Sequence, residues 1–438
     1  FSKTDTTVTF NNVLFENNKN AYVGGAIANY ADAEFVVNNS QFVGNHAYYD
    51  GGAIGNYGGL TITDSSFEGN TADYAYDAEE KDWSIAIEDD TAVGGGAISL
   101  GSISETTVGT ITGSTFKNNK SGTKGGAIGT RLAQNPGGSK NDNVAKLDIA
   151  ATFIGNEALK DGGAIYNTFW NDNGLGKGDG VTVTGIFEEN KAGHFGGAIY
   201  NDGAKDKNGK GGVMTVNSAE FEENEAYYGG AIFNNAGKMN ILGTADKRVV
   251  FEGNKAYVGG AFSDMQNVGS ETVIKNALFE ENHAGADAGA AGFYGKVDVE
   301  NTIFRKNTAA ITIDGVTADV GNSDGGGAIQ VGGTSDVSLT KVQFVGNESG
   351  ARGGAISARH GTGYELDIDT ATFTTNKSGN FGGGIANVYG GTVNMNNVDF
   401  VSNSATKAGG AIYNGKDINY GGSTGSMSTN HGILNIAG

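Results

Sequence analysis

The groups that could do chemistry in this 438-residue chain are 5 histidines, 49 carboxylates and 29 lysines and arginines; there is no cysteine. A glycan-cleaving site would need two carboxylates, or a base beside Arg or Lys, converging in a cleft. Arg352, Arg359, His360, Asp367 and Asp369 come nearest to that, since they lie close together in the chain. Scattered surface charge is the plainer account of them. His46 and His283 occupy the same position of a repeat but stand far apart in sequence, and His194, His360 and His431 fall elsewhere. No Cys/His set suits zinc, no Walker-type loop is present, and no nucleophile elbow occurs. Two stretches offer oxygens to calcium. One is residues 71–94, with Asp77, Glu79, Glu80, Asp82, Glu88, Asp89 and Asp90; the other is Asn173-Gly174-Leu175-Gly176-Lys177-Gly178-Asp179. Neither has the ligand spacing of a calcium loop. The expectation is a non-enzymatic chain without a cofactor.

The elements that must position these groups come from a repeat. Phe15-Glu16-Asn17-Asn18 is followed by Gly24-Gly25-Ala26-Ile27, and the pair returns as Phe187…Asn190 with Gly196-Gly197-Ala198-Ile199. Thirteen such units can be read, from Phe15 to Phe400, the most compact 25 to 27 residues apart. Three have degenerate glycine elements: Gly259-Gly260-Ala261-Phe262, Gly289-Ala290-Ala291-Gly292 and Gly382-Gly383-Gly384-Ile385. Apolar residues stand seven and five positions before most of the phenylalanines, as Leu60 and Ile62 do before Phe67. Such alternation marks a short strand with one buried face. Each unit therefore offers three short strands: the apolar pair, the Phe, and Gly-Gly-Ala-Ile.

Three short strands in about 25 residues make one coil of a parallel β-helix. The expected fold is all-β: a single-stranded parallel solenoid of about 13 coils, forming one domain over residues 1–438. At about 4.8 Å per coil it would be a rod of roughly 60 Å. Phe and Ile should stack in internal columns. Asn should close corners by coil-to-coil hydrogen bonds, and the glycine pair should mark a turn too tight for a Cβ. The residue after Ile should point outward. Phe at position 1 suggests a processed chain or a piece of a longer one, with open coil ends that could pair with another copy.

Composition narrows the partners. A net charge of 29 − 49 = −20 disfavours nucleic acid and anionic lipid. No apolar run reaches membrane-spanning length, so direct membrane insertion is not expected. Regular coils are mostly core, which leaves the interruptions for binding. Insertions fall at 71–94 and 308–325 between Asn and the glycines, and at 130–146, 168–180 and 202–212 after the Ile strand. The last three follow successive coils and should crowd along one edge. Arg131, Phe169, Trp170, Asn171 and Asp172 on that edge, with Trp83 in the first insertion, are the candidate binding residues.

The coupled motifs, running from Phe15 to Asn414, resemble the repeats of chlamydial polymorphic outer-membrane proteins. They also resemble those of adhesin-like surface proteins in other bacteria, gut archaea and parasitic protists. The resemblance implies a right-handed β-helix of the autotransporter-passenger kind, at the cell surface or secreted, with adhesion as its role. The partners it implies are surface proteins or glycans of host or neighbouring cells. Unlike the chlamydial proteins, this chain has neither cysteines nor a C-terminal barrel pattern. Two other functions stay open: a surface-layer or filament subunit joined through coil ends, and a polysaccharide lyase or hydrolase.

Overall fold

The computed structural model describes residues 6–29, 33–73, 94–102, 106–132, 144–168, 180–203, 213–264, 270–312, 324–415 and 432–437. It divides into two compact units. The first comprises residues 1–226 with 231–239, the second 227–230 with 240–438. Each unit by itself is a parallel β-helix.

In the first unit every coil contributes to three sheets. Strands such as Glu34–Asn38 and Gln41–Val43 carry the apolar pair and the Phe on one long sheet. They merge into single strands at Thr106–Lys117, Val144–Ile154 and Gly180–Glu188. Two-residue strands, from Lys19–Asn20 to Lys191–Ala192, follow the Asn and build a six-stranded sheet. Strands beginning at Ile form the third face, from Ile27–Asn29 to Ile232–Asn235. The second unit repeats the plan. Its short sheet runs from Lys255–Val258 to Ser404–Ala405, and its isoleucine strands from Phe262–Asp264 to Ile412–Asn414. All pairings keep equivalent residues in register: Phe42 faces Phe67, and Phe344 faces Phe373.

The register makes the expected columns. Phe42, Phe67, Phe116, Phe153, Phe187 and Phe221 are fully buried, with ring centroids 4.6 to 4.9 Å apart. Each contributes about 1.5–3 kcal/mol by burial. In the second unit Phe251 to Phe400 stack in the same way. Beside them runs the Asn ladder. The Asn70 amide donates to the Phe42 carbonyl and to Asn119 Oδ1, both at 2.9 Å. Its oxygen accepts from the backbone and side chain of Asn45 at 3.0 and 2.9 Å. A buried amide so placed leaves nothing unpaired, which is what permits it in the core. The second corner column behaves alike, Asn167 bonding to Asn201 and Asn201 to Asn234 at 2.9 Å each.

The glycine pair is explained by two contacts. Gly24 has φ +70°, and a Cβ on Gly25 would lie 2.1 Å from the Gly52 carbonyl oxygen on the next coil. The near-constant alanine after it, for which the repeat pattern gives no reason, also has a cause. At Gly384, which replaces it once, an added methyl would sit 2.9 Å from the Phe400 ring. The slot is buried and tight: Ala53, Ala97 and Ala127 are 0% exposed there, and at Gly384 even a methyl would have to displace its neighbours. One degenerate element reads differently from the sequence. Ala288 (φ 60°) takes the first glycine slot and Gly289 the second, and Ala291 takes the isoleucine slot, paired with Ile329. The element is thus Ala288-Gly289-Ala290-Ala291, one residue earlier than the glycine pattern suggested.

Candidate binding groove and covered faces

The long sheet of the second unit turns two columns of side chains outward. Register aligns Ser338, Asp367, Asn394 and Asn435 in one column and Thr340, Asp369, Asn396 and Ala437 in the other. Leu339, Ile368 and Met395 alternate with them and are buried. Strand geometry puts neighbours within a column about 4.8 Å apart and the columns about 6.7 Å apart. The outward residues floor a depression of about 370 Å³. Amides hold its carboxylates: Asn394 Nδ2 donates to Asp367 Oδ1 at 2.7 Å, Asn396 Nδ2 to Asp369 Oδ1 at 2.8 Å, and Asn435 Nδ2 to Asn394 Oδ1 at 2.7 Å. Among the described residues, the second oxygen of each carboxylate accepts no hydrogen bond. Ile436, 68% exposed, supplies an apolar wall. Fixed acceptors beside an apolar patch suit a polyhydroxylated ligand, whose hydroxyls donate and whose C–H face packs.

The isoleucine sheet is different, because the position after Ile is outward but covered. In the first unit Tyr166, Tyr200 and Phe233 occupy it, at 4, 8 and 3% exposure, with rings stacked at 5.1 and 5.7 Å. Phe195 packs on Phe233 at 4.5 Å. Lys124 Nζ bonds to the Tyr166 hydroxyl at 3.2 Å, and Asn235 Nδ2 reaches both Tyr200 and Asp202 at 3.0 Å. The outward direction expected from alternation holds, but direction is not exposure, and here neighbouring side chains cover the position.

In the second unit the same positions hold Ser263, Gln330 and Ser357, all buried. A polar network surrounds them. Asp324 pairs with Arg352 at 2.8 Å and with Arg359, and its carbonyl accepts from Ser357 Oγ at 2.7 Å. Arg359 lies 4.3 Å over the Tyr389 ring, and the Tyr294 hydroxyl bonds Gln330 Oε1. Asp264 takes a corner-Asn slot. Its carboxylate accepts from the Tyr294 and Gly295 backbone N–H groups at 2.5 and 3.2 Å and from Ser270 Oγ at 3.1 Å. Burial outweighs those donors and pushes its pKa up to about 7. Burial, with the Asp287 and Asp264 carboxylates next, also pushes the Tyr294 hydroxyl above its usual range.

These positions answer the question of convergence. Arg352 and Arg359 are engaged by Asp324 on the isoleucine face. His360 is buried, its Nε2 3.0 Å from the Thr392 carbonyl. Asp367 and Asp369 point out of the long sheet into the depression. The five residues do not form one site. Arg131 lies within the strand Ile128–Leu132 rather than in a loop. Trp83, Phe169, Trp170, Asn171, Asp172 and both calcium candidate stretches lie outside the described residues, apart from Thr71–Asp73 and Gly94. No group of three or more His, Cys, Asp or Glu able to hold a metal occurs among the described residues. The groove was missed in sequence, although Asp-x-Asp over Asn-x-Asn, one coil later, was its visible sign.

Four stretches of the chain, residues 113–131, 150–168, 184–202 and 397–415, match the family model of the Chlamydia polymorphic membrane protein repeat. Each stretch spans one Phe-x-x-Asn with its Gly-Gly-Ala-Ile. No curated protein matches the chain. Among solved structures, the receptor binding domain of the siphovirus 9NA tailspike aligns over 96% of this chain and 74% of its own, at 11% identity and a TM-score of 0.37.

Proposed function

We propose that this chain is a non-enzymatic, surface-displayed β-helical adhesin segment that holds a neutral or amine-bearing glycan in the groove of its second unit. The observation that carries the reading is the pair of outward columns, in which Asp367 and Asp369 are fixed by Asn394 and Asn396 yet keep an open acceptor oxygen each. A glycan laid across the coils would meet an acceptor at each coil step. The repeat, shared with a membrane-protein family, supports display at a cell surface. The carboxylates disfavour uronic acids by like-charge repulsion.

Purified chain on a panel of neutral, amino and acidic glycans tests this. Neutral or amino glycans should bind, and Asp367→Asn with Asp369→Asn should weaken binding at least tenfold. Undiminished binding in that double variant would sink the groove. Loss of binding only in Trp170→Ala or Arg131→Ala would move the ligand to the loop edge. One observation favours a second reading, a hydrolase: the two carboxylates stand two residues apart on one strand face, near the separation inverting glycosidases use. Release of reducing ends from a bound glycan, abolished by Asp367→Asn, would select it.

A further inference from the structure

Both histidines at the head of a short strand stand one coil below an insertion. His46 pairs with Thr71, which opens the coil carrying the insertion through residue 93. His283 pairs with Thr308, which opens the coil carrying the insertion through residue 323. Lysine lies beneath each, Lys19 below His46 and Lys255 below His283. Those lower coils also share Tyr-Val-Gly-Gly, at Tyr22–Gly25 and Tyr257–Gly260. Four residues after each histidine comes an aspartate, Asp50 or Asp287. No other coil has a His–Asp pair at these positions.

The aspartates receive the far ends of the insertions. Asp50 Oδ1 accepts from the Gly94 N–H at 2.8 Å. Asp287 Oδ1 accepts from the Asp324 and Gly325 N–H groups at 2.7 and 3.0 Å. Gly94 and Gly325 are equivalent, each an extra glycine before the usual pair, with φ +73° and +87°. A Cβ there would lie 2.3 Å from the Lys124 carbonyl oxygen in one case and 2.0 Å from that of Arg352 in the other. The histidines hold the near ends. His46 Nε2 is 3.3 Å from Asp73 Oδ2, and His283 Nδ1 is 2.7 Å from Thr308 Oγ1.

We propose that these two three-coil blocks are copies of one loop mount, in which the histidine and aspartate of the middle coil fix both ends of the insertion carried by the coil above. The extra glycine lets the returning chain reach the aspartate. The copies differ in one respect. Asp73 has no counterpart in the second block, where Ala310 stands in its place. The first clasp therefore joins His46 to a carboxylate and the second joins His283 to a hydroxyl. The groups facing His46 are Lys19 from the coil below and Thr71 and Asp73 from the coil above. Burial raises the Asp73 carboxyl, and His46 draws it back down. This proposal is independent of the groove.

Limited proteolysis of the full chain, read by mass spectrometry, tests it with each insertion as the other's control. Asp50→Ala should speed cleavage within residues 74–93 at least fivefold and leave residues 313–323 unaffected; Asp287→Ala should do the reverse. Asp50→Asn, which keeps an acceptor oxygen, should restore most of the protection. His46→Ala should speed cleavage within residues 74–93 and His283→Ala within residues 313–323, each leaving the other loop unaffected. Equal acceleration of both loops by Asp50→Ala, or no acceleration of either, would overturn the mount. Where an aspartate variant does not fold, Gly94→Ala and Gly325→Ala keep the mount testable: each should loosen only its own loop, and acceleration of both loops alike overturns it.

Discussion

The two units share a core and differ in what they lay over the isoleucine sheet. The first covers it with stacked rings, Tyr166 on Tyr200 on Phe233. The second covers it with Ser263, Gln330 and Ser357 under an Asp324–Arg352–Arg359 knot. Inside, both have the same Phe column and the same Asn ladder. The contrast separates two kinds of information in one repeat. Inward positions are dictated by register, because a residue that breaks a column leaves a cavity or an unpaired amide on both neighbours. Outward positions answer only to their own neighbours, so each unit can be specialised there without disturbing its coils.

The knot is the sharper place to break this contrast. Asp324→Ala leaves two guanidinium groups facing each other where a carboxylate had joined them. The Arg352 and Arg359 side chains are 12 and 30% exposed, so water relieves only part of that repulsion. The expected loss is about 3–4 kcal/mol. Tyr200→Ala in the first unit removes a stacked ring and should cost somewhat less, about 3 kcal/mol. Hydrogen exchange resolved by peptide, during denaturant titration, assigns each loss to a unit. The two should also differ in kind: high salt should ease the Asp324→Ala defect and leave the Tyr200→Ala defect alone. A shared salt response would erase the distinction between the faces.

The core was legible because its residues recur at fixed spacing. Phe, Ile, the two Asn positions and the glycine pair could each be placed by period alone. The binding candidates were not, for two physical reasons. Alternation tells which way a side chain points and says nothing of what covers it, so the outward direction of Tyr166 and Ser357 could be read but not their burial. A groove on a solenoid is made by coils whose stacked residues lie far apart in the chain, 27 between Asp367 and Asn394 and 41 between Asn394 and Asn435, so these residues gain meaning only once the register is known. His46 and His283 show an intermediate case. Their shared repeat position was visible in sequence, but that each lies under an insertion required knowing which coil stacks on which. Arg359 and Asp367, close in the chain, are separated because adjacent strands of one coil lie on different sheets.

Asp264 sharpens the comparison from within the core. It takes a slot that Asn fills in most coils, and it is buried. Its pKa is raised from the usual carboxylate value to about 7, so the folded unit holds a proton that the unfolded chain releases near pH 4. The sign follows from proton counts: between these values the native state binds more protons, so stability falls as pH rises from about 4 to about 7. The full penalty is on the order of 4 kcal/mol and is constant above that range. Asp264→Asn should flatten the slope, with its largest benefit near pH 8 and the least near pH 4. Its gain will be smaller than the full penalty, because an amide offers one acceptor oxygen to three donors. Urea denaturation of the second unit at pH 4.5, 6 and 8 checks this. A wild-type slope that survives the substitution would place the titrating group elsewhere.

The smallest expected effect concerns the backbone both units share. The residue before the Asn of each Phe-x-x-Asn is left-handed. Glycine takes it at Gly44 (φ 59°) and Gly69 (φ 62°), but Glu189 holds it at 54° in the first unit and Thr375 at 54° in the second. A side chain in this region costs about 1–2 kcal/mol, and a β-branched one is the least tolerated. Glycine removes the strain and adds unfolded-chain entropy, so the two effects partly cancel. Thr375→Gly should therefore stabilise the second unit by about 0.5–1 kcal/mol, and Glu189→Gly the first by about half as much. Both side chains are exposed, so neither substitution opens a cavity, and denaturant midpoints read the backbone effect directly. Equal gains would mean that left-handed strain is indifferent to branching at this corner. A loss at Thr375 would show that its hydroxyl bond to the Thr374 carbonyl, 2.8 Å long, outweighs the strain.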